Sequence, residues 1–124
     1  METPIQPLIL IVDDDESARR LMQIMLDRAG YRTIMANTGE EALQLAGQHQ
    51  PELIILDDVL PGIWGDEVRE QLKQNPVTSA IKVMMFTGRV DKITEYKHRT
   101  DVAGVLPKPS HPRVVLSAIQ ACLS

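Results

Sequence analysis

The chain has 124 residues, of which 44% are hydrophobic and 24% are charged, and its formal net charge at pH 7 is −4. The length favours one domain, the composition excludes extended disorder, and the acidic balance argues against general binding to nucleic acid or anionic membranes. One cysteine excludes an internal disulfide, and the longest apolar run, Leu8 to Val12, is too short to span a membrane. We expect a single cytoplasmic domain over residues 1–124, with its core at about 8–123.

The first half of the chain alternates apolar runs with segments of helical period. Leu8 to Val12 predicts a strand covered on both faces, and 33–36 predicts a second strand. An apolar stripe before Gly30 predicts a helix between them. Its residues are Ala18, Leu21, Met22, Met25 and Ala29. A second helix opens with the capping-box pattern of 38–41. Its apolar side is Ala42, Leu45 and Ala46.

The second half repeats this alternation. Strands are predicted at 53–56, 82–86 and 103–106, and helices at 66–75, 91–99 and after 110–112. Pro76 closes the first of these helices. The second is the weakest, because Ile93 and Tyr96 are its only sizeable apolar residues. The last helix is predicted to bury Val115, Ile119 and Cys122.

Strand and helix thus alternate five times, which predicts an α/β fold with a doubly wound parallel sheet. Right-handed crossovers favour the flavodoxin-like strand order 2-1-3-4-5, with five helices on both faces. In such sheets the binding crevice lies beyond the carboxyl ends of the strands. Residues at those ends are therefore the candidate functional residues.

Acidic, hydroxyl and basic residues stand at these ends. Asp13, Asp14 and Asp15 follow the first strand, Asp57-Asp58 the third, Thr87 the fourth and Lys108 the fifth. Clustered carboxylates repel and need a cation, and their hard oxygens suit Mg²⁺. With a lysine and a hydroxyl opposite, this set fits phosphoryl transfer onto an aspartate. Each motif alone is more typical of a solvated loop or a helix start, and only their joint occurrence favours a site.

The motifs that carry a family resemblance are Ile11–Glu16, Leu53–Asp57 followed by Leu60-Pro61-Gly62, Phe86-Thr87-Gly88 and Leu106–Pro109. From Leu8 to Leu123, the chain resembles the receiver domain of two-component response regulators. The resemblance implies the same strand order and a Mg²⁺-dependent (or Mn²⁺-dependent) transfer. The donor it implies is a phosphohistidine of a sensor histidine kinase or a histidine phosphotransfer protein.

The resemblance also implies a role for each residue at the strand ends. Asp57 matches the phosphoacceptor, because the family has a proline four residues later and Pro61 fits only the first of the two acids. Asp13, Asp14, Asp57 and the backbone carbonyl of Val59 are the implied metal ligands. Lys108 matches the lysine that contacts the phosphoryl oxygens, Thr87 the switch hydroxyl, and Gly88 leaves room for its movement. Asp15 lies outside the motif and is interpreted as a helix-start acid.

Four positions depart from the family pattern. Val105 stands where an aromatic switch residue is usual, so transmission from Thr87 is in question. Trp64 is interpreted first as a partly buried loop anchor and second as a partner contact. Val59 and Arg89 occupy positions that influence the rate of hydrolysis, and an apolar Val59 cannot orient water. We therefore expect slow self-dephosphorylation.

Three functions compete at this point. The first is a phosphorelay receiver that switches a protein-interaction surface and is not a turnover enzyme. We expect a stand-alone receiver, since the sequence gives no effector domain after Ser124, and a piece excised from a longer regulator or hybrid kinase is the alternative. The second is an interaction module of the same fold that needs no phosphorylation, and the third is a small aspartate-nucleophile phosphatase. The downstream protein is unknown, and direct nucleic-acid and membrane binding are not expected. Apolar residues on the last two helices suggest a face for a homodimer, and core packing explains the same residues equally well.

Overall fold

The computed structural model describes residues 6–124, which contain one parallel sheet in the order β2-β1-β3-β4-β5, as predicted. The strands are β1 (Leu8–Val12), β2 (Arg32–Ala36), β3 (Leu53–Asp57), β4 (Lys82–Thr87) and β5 (Gly104–Pro107). The helices are α1 (Glu16–Arg28), α2 (Gly39–His49), α3 (Gly65–Gln74), α4 (Val90–Lys97) and α5 (Pro112–Leu123). Within this part of the chain, no helix is both long and apolar enough to cross a bilayer.

The central strands are apolar throughout because each lies between two layers of helices. Alternate side chains of a strand point to opposite faces. In β1, Leu10 and Val12 pack with α2, α3 and α4, whereas Ile9 and Ile11 pack with α1 and α5. All five residues of β3 are buried as well. The one charged side chain on β1 and β3 is therefore at a carboxyl end, where Asp57 ends β3.

The beginnings of α1 and α2 follow the sequence signals. Asp15 caps α1, because its carboxylate accepts hydrogen bonds from the backbone N–H groups of Ser17 and Ala18 at 2.9 and 3.2 Å. Thr38 caps α2 by accepting from the N–H of Glu41 at 3.1 Å, while the Glu41 carboxylate accepts from the N–H of Asn37 at 2.8 Å. The helix-start interpretation of Asp15 is thus confirmed, and this residue is committed to its cap.

The apolar stripe of α1 is less buried than a core-facing stripe would be. The buried residues of α1 are Met22 and Leu26, and Leu21 is 69% exposed. All five stripe residues line an apolar groove of about 630 Å³ between α1 and α5, which also includes Phe86 and Pro109. The spacing predicted the helix correctly. Because the stripe lines this groove, the fully buried residue of α1 is Leu26, which lies outside the predicted stripe.

The weakest predicted helix, α4, is present but shorter than expected. It ends at Lys97, two residues before the predicted end. Tyr96 is fully buried in the same core cluster as α2 and α3, and the guanidinium carbon of Arg69 lies 5.7 Å from its ring centroid. Tyr96 is the buried residue of α4, so one aromatic side chain anchors this helix to the core.

Gly65 allows α3 to begin directly against the end of β3. Its N–H donates to the carbonyl oxygen of Asp58 at 3.0 Å. A Cβ at residue 65 would lie 2.3 Å from the carbonyl oxygen of Asp57 and 2.7 Å from the Cα of Asp58. Both neighbours are backbone atoms that cannot rotate away, so a larger residue has to displace the strand end that carries the two acids.

We expect Gly65→Ala to lower the free energy of unfolding by about 1–3 kcal/mol through this overpacking. Gly47→Ala is the matched control, because a Cβ there meets nothing within 4 Å inside α2. It should raise stability by about 0.5–1 kcal/mol from helix propensity alone. Urea denaturation measures both values, and equal effects of the two substitutions would contradict the steric explanation.

Candidate functional site

Three charged side chains from three strands meet at the carboxyl edge of the sheet. Asp13 follows β1, Asp57 ends β3 and Lys108 follows β5. The Lys108 Nζ lies 2.8 Å from Asp57 Oδ2 and 3.1 Å from Asp13 Oδ2. Both acids are buried, at 6% and 4% exposure. The ammonium group thus bridges two carboxylates that are far apart in the chain.

The backbone fixes the orientation of both carboxylates. Oδ1 of Asp13 accepts from the N–H of Asp15 at 2.9 Å, and Oδ1 of Asp57 accepts from the N–H of Val59 at 3.2 Å. The Asp13 carbonyl oxygen in turn accepts from Arg19 Nη1 at 2.8 Å. Each buried acid therefore places one oxygen on a backbone N–H and the other on Lys108. This holds the Asp57 carboxylate in one orientation, as a nucleophile requires.

A third carboxylate completes an oxygen-rich cluster. Asp14 is exposed, and one oxygen each from Asp13, Asp14 and Asp57 can lie within 4.8 Å of one another. Three carboxylates against the one bridging ammonium leave a formal charge of 1 − 3 = −2. Carboxylate oxygens with access to solvent are suited to Mg²⁺, which retains part of its water shell. The donor set therefore fits a hard divalent cation.

Burial and charge act in opposite directions on the two central groups. Burial raises the pKa of Asp57, and the hydrogen bond and charge of Lys108 lower it, with the net pKa above its ordinary value. For Lys108, burial lowers the pKa, but Asp57 and Asp13 more than compensate and raise it overall. Lys108 therefore stays cationic at neutral pH, while the ionised form of Asp57 is less favourable than it would be in water.

The neighbouring acid, Asp58, faces a different set of partners. It is 1% exposed, and its Oδ2 accepts from the Thr87 hydroxyl at 2.8 Å and from Arg89 Nε at 2.8 Å. Arg89 Nη2 is 2.7 Å from the same oxygen. The Thr87 hydroxyl also accepts from the Arg89 backbone N–H at 2.9 Å. In this structure the proposed switch hydroxyl and Arg89 are both directed to Asp58 rather than to Asp57.

The remaining predicted residues surround these two clusters. Trp64 is 50% exposed at the start of α3, and the guanidinium carbon of Arg89 lies 5.4 Å from its ring centroid. Val59 is 45% exposed beside Asp57, and Val105 packs half-buried against the core. A Cβ at Gly88 would make ordinary contact, 3.8 Å from Lys108 Cβ, so this resting arrangement imposes no steric need for glycine there.

Sequence reasoning missed the burial of Asp58 and the ionic cluster around Arg69. Arg69 is 3% exposed and lies 2.7 Å from Asp66 and 3.3 Å from Asp101. The only sequence signal for the burial of Asp58 was the pair of acids at the end of β3, since consecutive side chains of a strand point in opposite directions. For the ionic cluster, the i,i+3 spacing of Asp66 and Arg69 in α3 was a signal for their pairing. The contact with Asp101 had none, because that residue lies in the loop after α4.

The chain is similar to known proteins over most of its length. Residues 9–120 match the family model described as Response regulator receiver domain. The alkaline phosphatase synthesis transcriptional regulatory protein PhoP of Bacillus subtilis is 39% identical over 118 residues, covering 93% of this chain and 48% of PhoP. Protein PilH of Pseudomonas aeruginosa is 32% identical over 119 residues, covering 94% of this chain and 97% of PilH. The chain thus spans about half of PhoP and nearly all of PilH.

Solved structures show the same similarity. A putative response regulator from Chloroflexus aurantiacus has a TM-score of 0.88 and 30% identity, covering 96% of this chain and 98% of that one. The chemotaxis response regulator CheY4 of Vibrio cholerae has a TM-score of 0.87 and 29% identity, covering 96% and 100%. The similarity therefore extends over the whole sheet and all of its helices.

The raised pKa of Asp57 predicts a specific pH dependence of stability in metal-free buffer. The folded chain binds more protons than the unfolded chain between the ordinary aspartate pKa of about 3.9 and the raised value. The stability from this group is therefore complete below the ordinary pKa and is lost as pH rises through the raised one. Asp57→Asn removes the ionisable group and therefore this loss, so we expect the variant to be more stable than wild type at pH 7.

Urea denaturation between pH 4 and pH 7 in the presence of a chelator measures this difference, which should shrink as pH falls. Asp91→Asn, a change at an exposed acid in the first turn of α4, is the control and should cost no more than a few tenths of a kcal/mol. A destabilised Asp57→Asn variant at pH 7 would contradict the electrostatic account.

Proposed function

The chain belongs to the response regulator receiver domain family, and we propose that it accepts a phosphoryl group on Asp57. Receiver domains act in phosphorelays, where they receive this group from histidine kinases or phosphotransfer proteins, and they are signalling proteins rather than classical enzymes. We propose one receiver domain over residues 1–124. The observation that carries the proposal is the Lys108 ammonium, which lies within hydrogen-bond distance of Asp57 and Asp13 beside the oxygen cluster.

The residues at the site have separable roles in the proposed transfer. An oxygen of Asp57 attacks the phosphorus of a phosphohistidine in line with the leaving nitrogen, so that an O–P bond forms as the N–P bond breaks. The histidine nitrogen keeps the electron pair of the broken bond. Lys108 moves part of its hydrogen bonding from Asp57 to a phosphoryl oxygen and offsets the added charge. The Val59 N–H keeps the attacking carboxylate in orientation.

Receiver domains bind Mg²⁺ in an acidic pocket, and we propose that Asp13, Asp14, Asp57 and the backbone carbonyl of Val59 hold it in this chain. Mn²⁺ offers the same coordination chemistry. When bound, the cation neutralises charge on the transferring group and its acceptor. The contribution of the chain is to bring the three carboxylates together before the cation arrives. Their formal excess of negative charge explains why the transfer is expected to require a divalent ion.

We propose that the donor is a cytoplasmic phosphohistidine protein. The apolar groove between α1 and α5 reaches the site through Pro109, next to Lys108. Leu21 and Ile24 are exposed at 69% and 43% on its α1 side and offer a contact surface for the donor. Self-association through α4 and α5 stays a prediction, and Val90 and Val114, at 79% and 50% exposure, are the apolar residues available for it.

Incubation with Mg²⁺ and acetyl phosphate tests the proposed acceptor, with intact-protein mass as the readout. We expect the gain of one phosphoryl group, no gain in Asp57→Asn, and no gain in a chelator. Asp58→Asn is the matched control at the adjacent acid and should keep the gain. If no donor adds a phosphoryl group to the wild-type protein, the result favours a phosphorylation-independent interaction module. Continuous release of phosphate from unrelated monoesters would favour a phosphatase.

We expect the phosphorylated protein to lose its label slowly, over minutes or longer. The Val59 side chain is apolar and half-exposed beside Asp57, so it offers no hydrogen bond to an attacking water. The Arg89 side chain is paired with Asp58 and is therefore not directed to this water. Val59→Asn should accelerate the loss severalfold, because an amide can orient water. Val114→Asn, an equivalent change on the distant α5, is the control. Loss within seconds from the wild-type protein would contradict this explanation.

A further inference from the structure

Two adjacent carboxylates at the end of β3 serve two separate clusters. Asp57 contacts Lys108 and the Val59 N–H, whereas Asp58 contacts Thr87 and Arg89. Asp58 is as buried as the core, at 1% exposure, yet it takes no part in the proposed transfer. A buried carboxylate is costly unless it is paired, so this residue needs a structural or a regulatory reason.

The Thr87 hydroxyl has one proton, and that proton is already donated. Thr87 is fully buried, and its oxygen lies 2.8 Å from Asp58 Oδ2. A hydroxyl can donate to one acceptor at a time. It therefore cannot donate to a phosphoryl oxygen on Asp57 while it donates to Asp58. The two acids are alternative partners for the same proton.

Resting on the proposed function, we propose that Asp58 is a positioning residue that holds the Thr87 hydroxyl away from Asp57 in the unphosphorylated chain. A phosphoryl group on Asp57 has to displace Asp58 as the acceptor before the hydroxyl reaches it. The bond to Asp58 involves an ionised acceptor and is buried, which makes it a strong competitor. Asp58 therefore opposes switching, and the chain without a phosphoryl group stays in the resting state.

Arg89 makes this exchange feasible. When Thr87 leaves, Asp58 Oδ2 still has Arg89 Nε at 2.8 Å and Nη2 at 2.7 Å, so the buried charge remains paired. The Arg89 backbone N–H, in contrast, loses the Thr87 oxygen that it now contacts at 2.9 Å. Arg89 precedes α4, and its guanidinium lies over the half-exposed ring of Trp64. Movement of Thr87 is thus transmitted to the start of α4 and to the surface at Trp64.

Beryllofluoride, a phosphoryl mimic, with Mg²⁺ tests this inference, and the backbone amide signal of Val59 in ¹H–¹⁵N NMR reports its binding next to Asp57. We expect Asp58→Asn to bind the mimic about tenfold more tightly than wild type, which corresponds to about 1.4 kcal/mol, because an uncharged amide holds the hydroxyl less strongly. Asp101→Asn is the matched control, since Asp101 also pairs with arginines but does not contact Thr87. It should leave the affinity unchanged.

A double-mutant cycle separates positioning from a general structural effect. In a Thr87→Val background, Asp58→Asn should give no gain in affinity, because no hydroxyl remains to be released. An equal gain in both backgrounds, or no gain in the single variant, would overturn the inference while leaving the proposed function intact. Absence of binding to the wild-type protein would overturn both.

The wild-type protein provides a second test that needs no substitution. On saturation with the mimic, we expect the Arg89 amide and the indole N–H of Trp64, the single tryptophan, to shift. Unchanged signals from both groups, with the Val59 amide shifted, would also overturn the inference. Thermal unfolding of each variant shows whether it is folded, and an unfolded Asp58→Asn leaves this wild-type measurement as the deciding one.

Discussion

The ammonium group of Lys108 is the interaction on which the arrangement of the acidic edge depends. It joins two buried carboxylates that come from the ends of β1 and β3, although its own strand, β5, lies at the edge of the sheet. Without this cation, Asp13 and Asp57 would be two like charges in a poorly solvated place, and repulsion would separate them or protonate one of them. The parallel sheet brings all three side chains to the same edge, and the lysine makes their proximity tolerable.

The lysine compensates only part of the negative charge of the three carboxylates. Burial still outweighs the attraction of Lys108 at Asp57, as the direction of its pKa shift shows. The negative charge that remains uncompensated favours the binding of a cation at this site. In the proposed function, a divalent ion would offset this charge, and the phosphoryl group would then enter a site whose positive groups are already in position.

The sequence was sufficient for the strand order and for the acidic edge, because uninterrupted apolar runs mark central strands and their ends are visible in the sequence. It was insufficient where side-chain direction depends on packing between elements. The burial of Asp58 depends on a turn and on Thr87 and Arg89, which lie about 30 residues away. In the same way, Leu21 is exposed because a groove separates α1 from α5. The helical spacing of apolar residues predicts the helix but not its distance from a neighbouring helix.

Residue 105 is a valine and not an aromatic residue, which affects how a movement of Thr87 could be transmitted. Val105 packs half-buried against the core and has no hydroxyl or ring edge that could follow a movement of Thr87. Two residues contact the Thr87 hydroxyl, which donates to the Asp58 carboxylate and accepts from the Arg89 backbone N–H. The Arg89 side chain pairs with the same carboxylate. Because Arg89 lies between this carboxylate and the ring of Trp64, the proposed movement of Thr87 would be transmitted toward the starts of α3 and α4. A partner that senses this receiver through that path would have to contact the surface around Trp64, not the β5 side of the sheet.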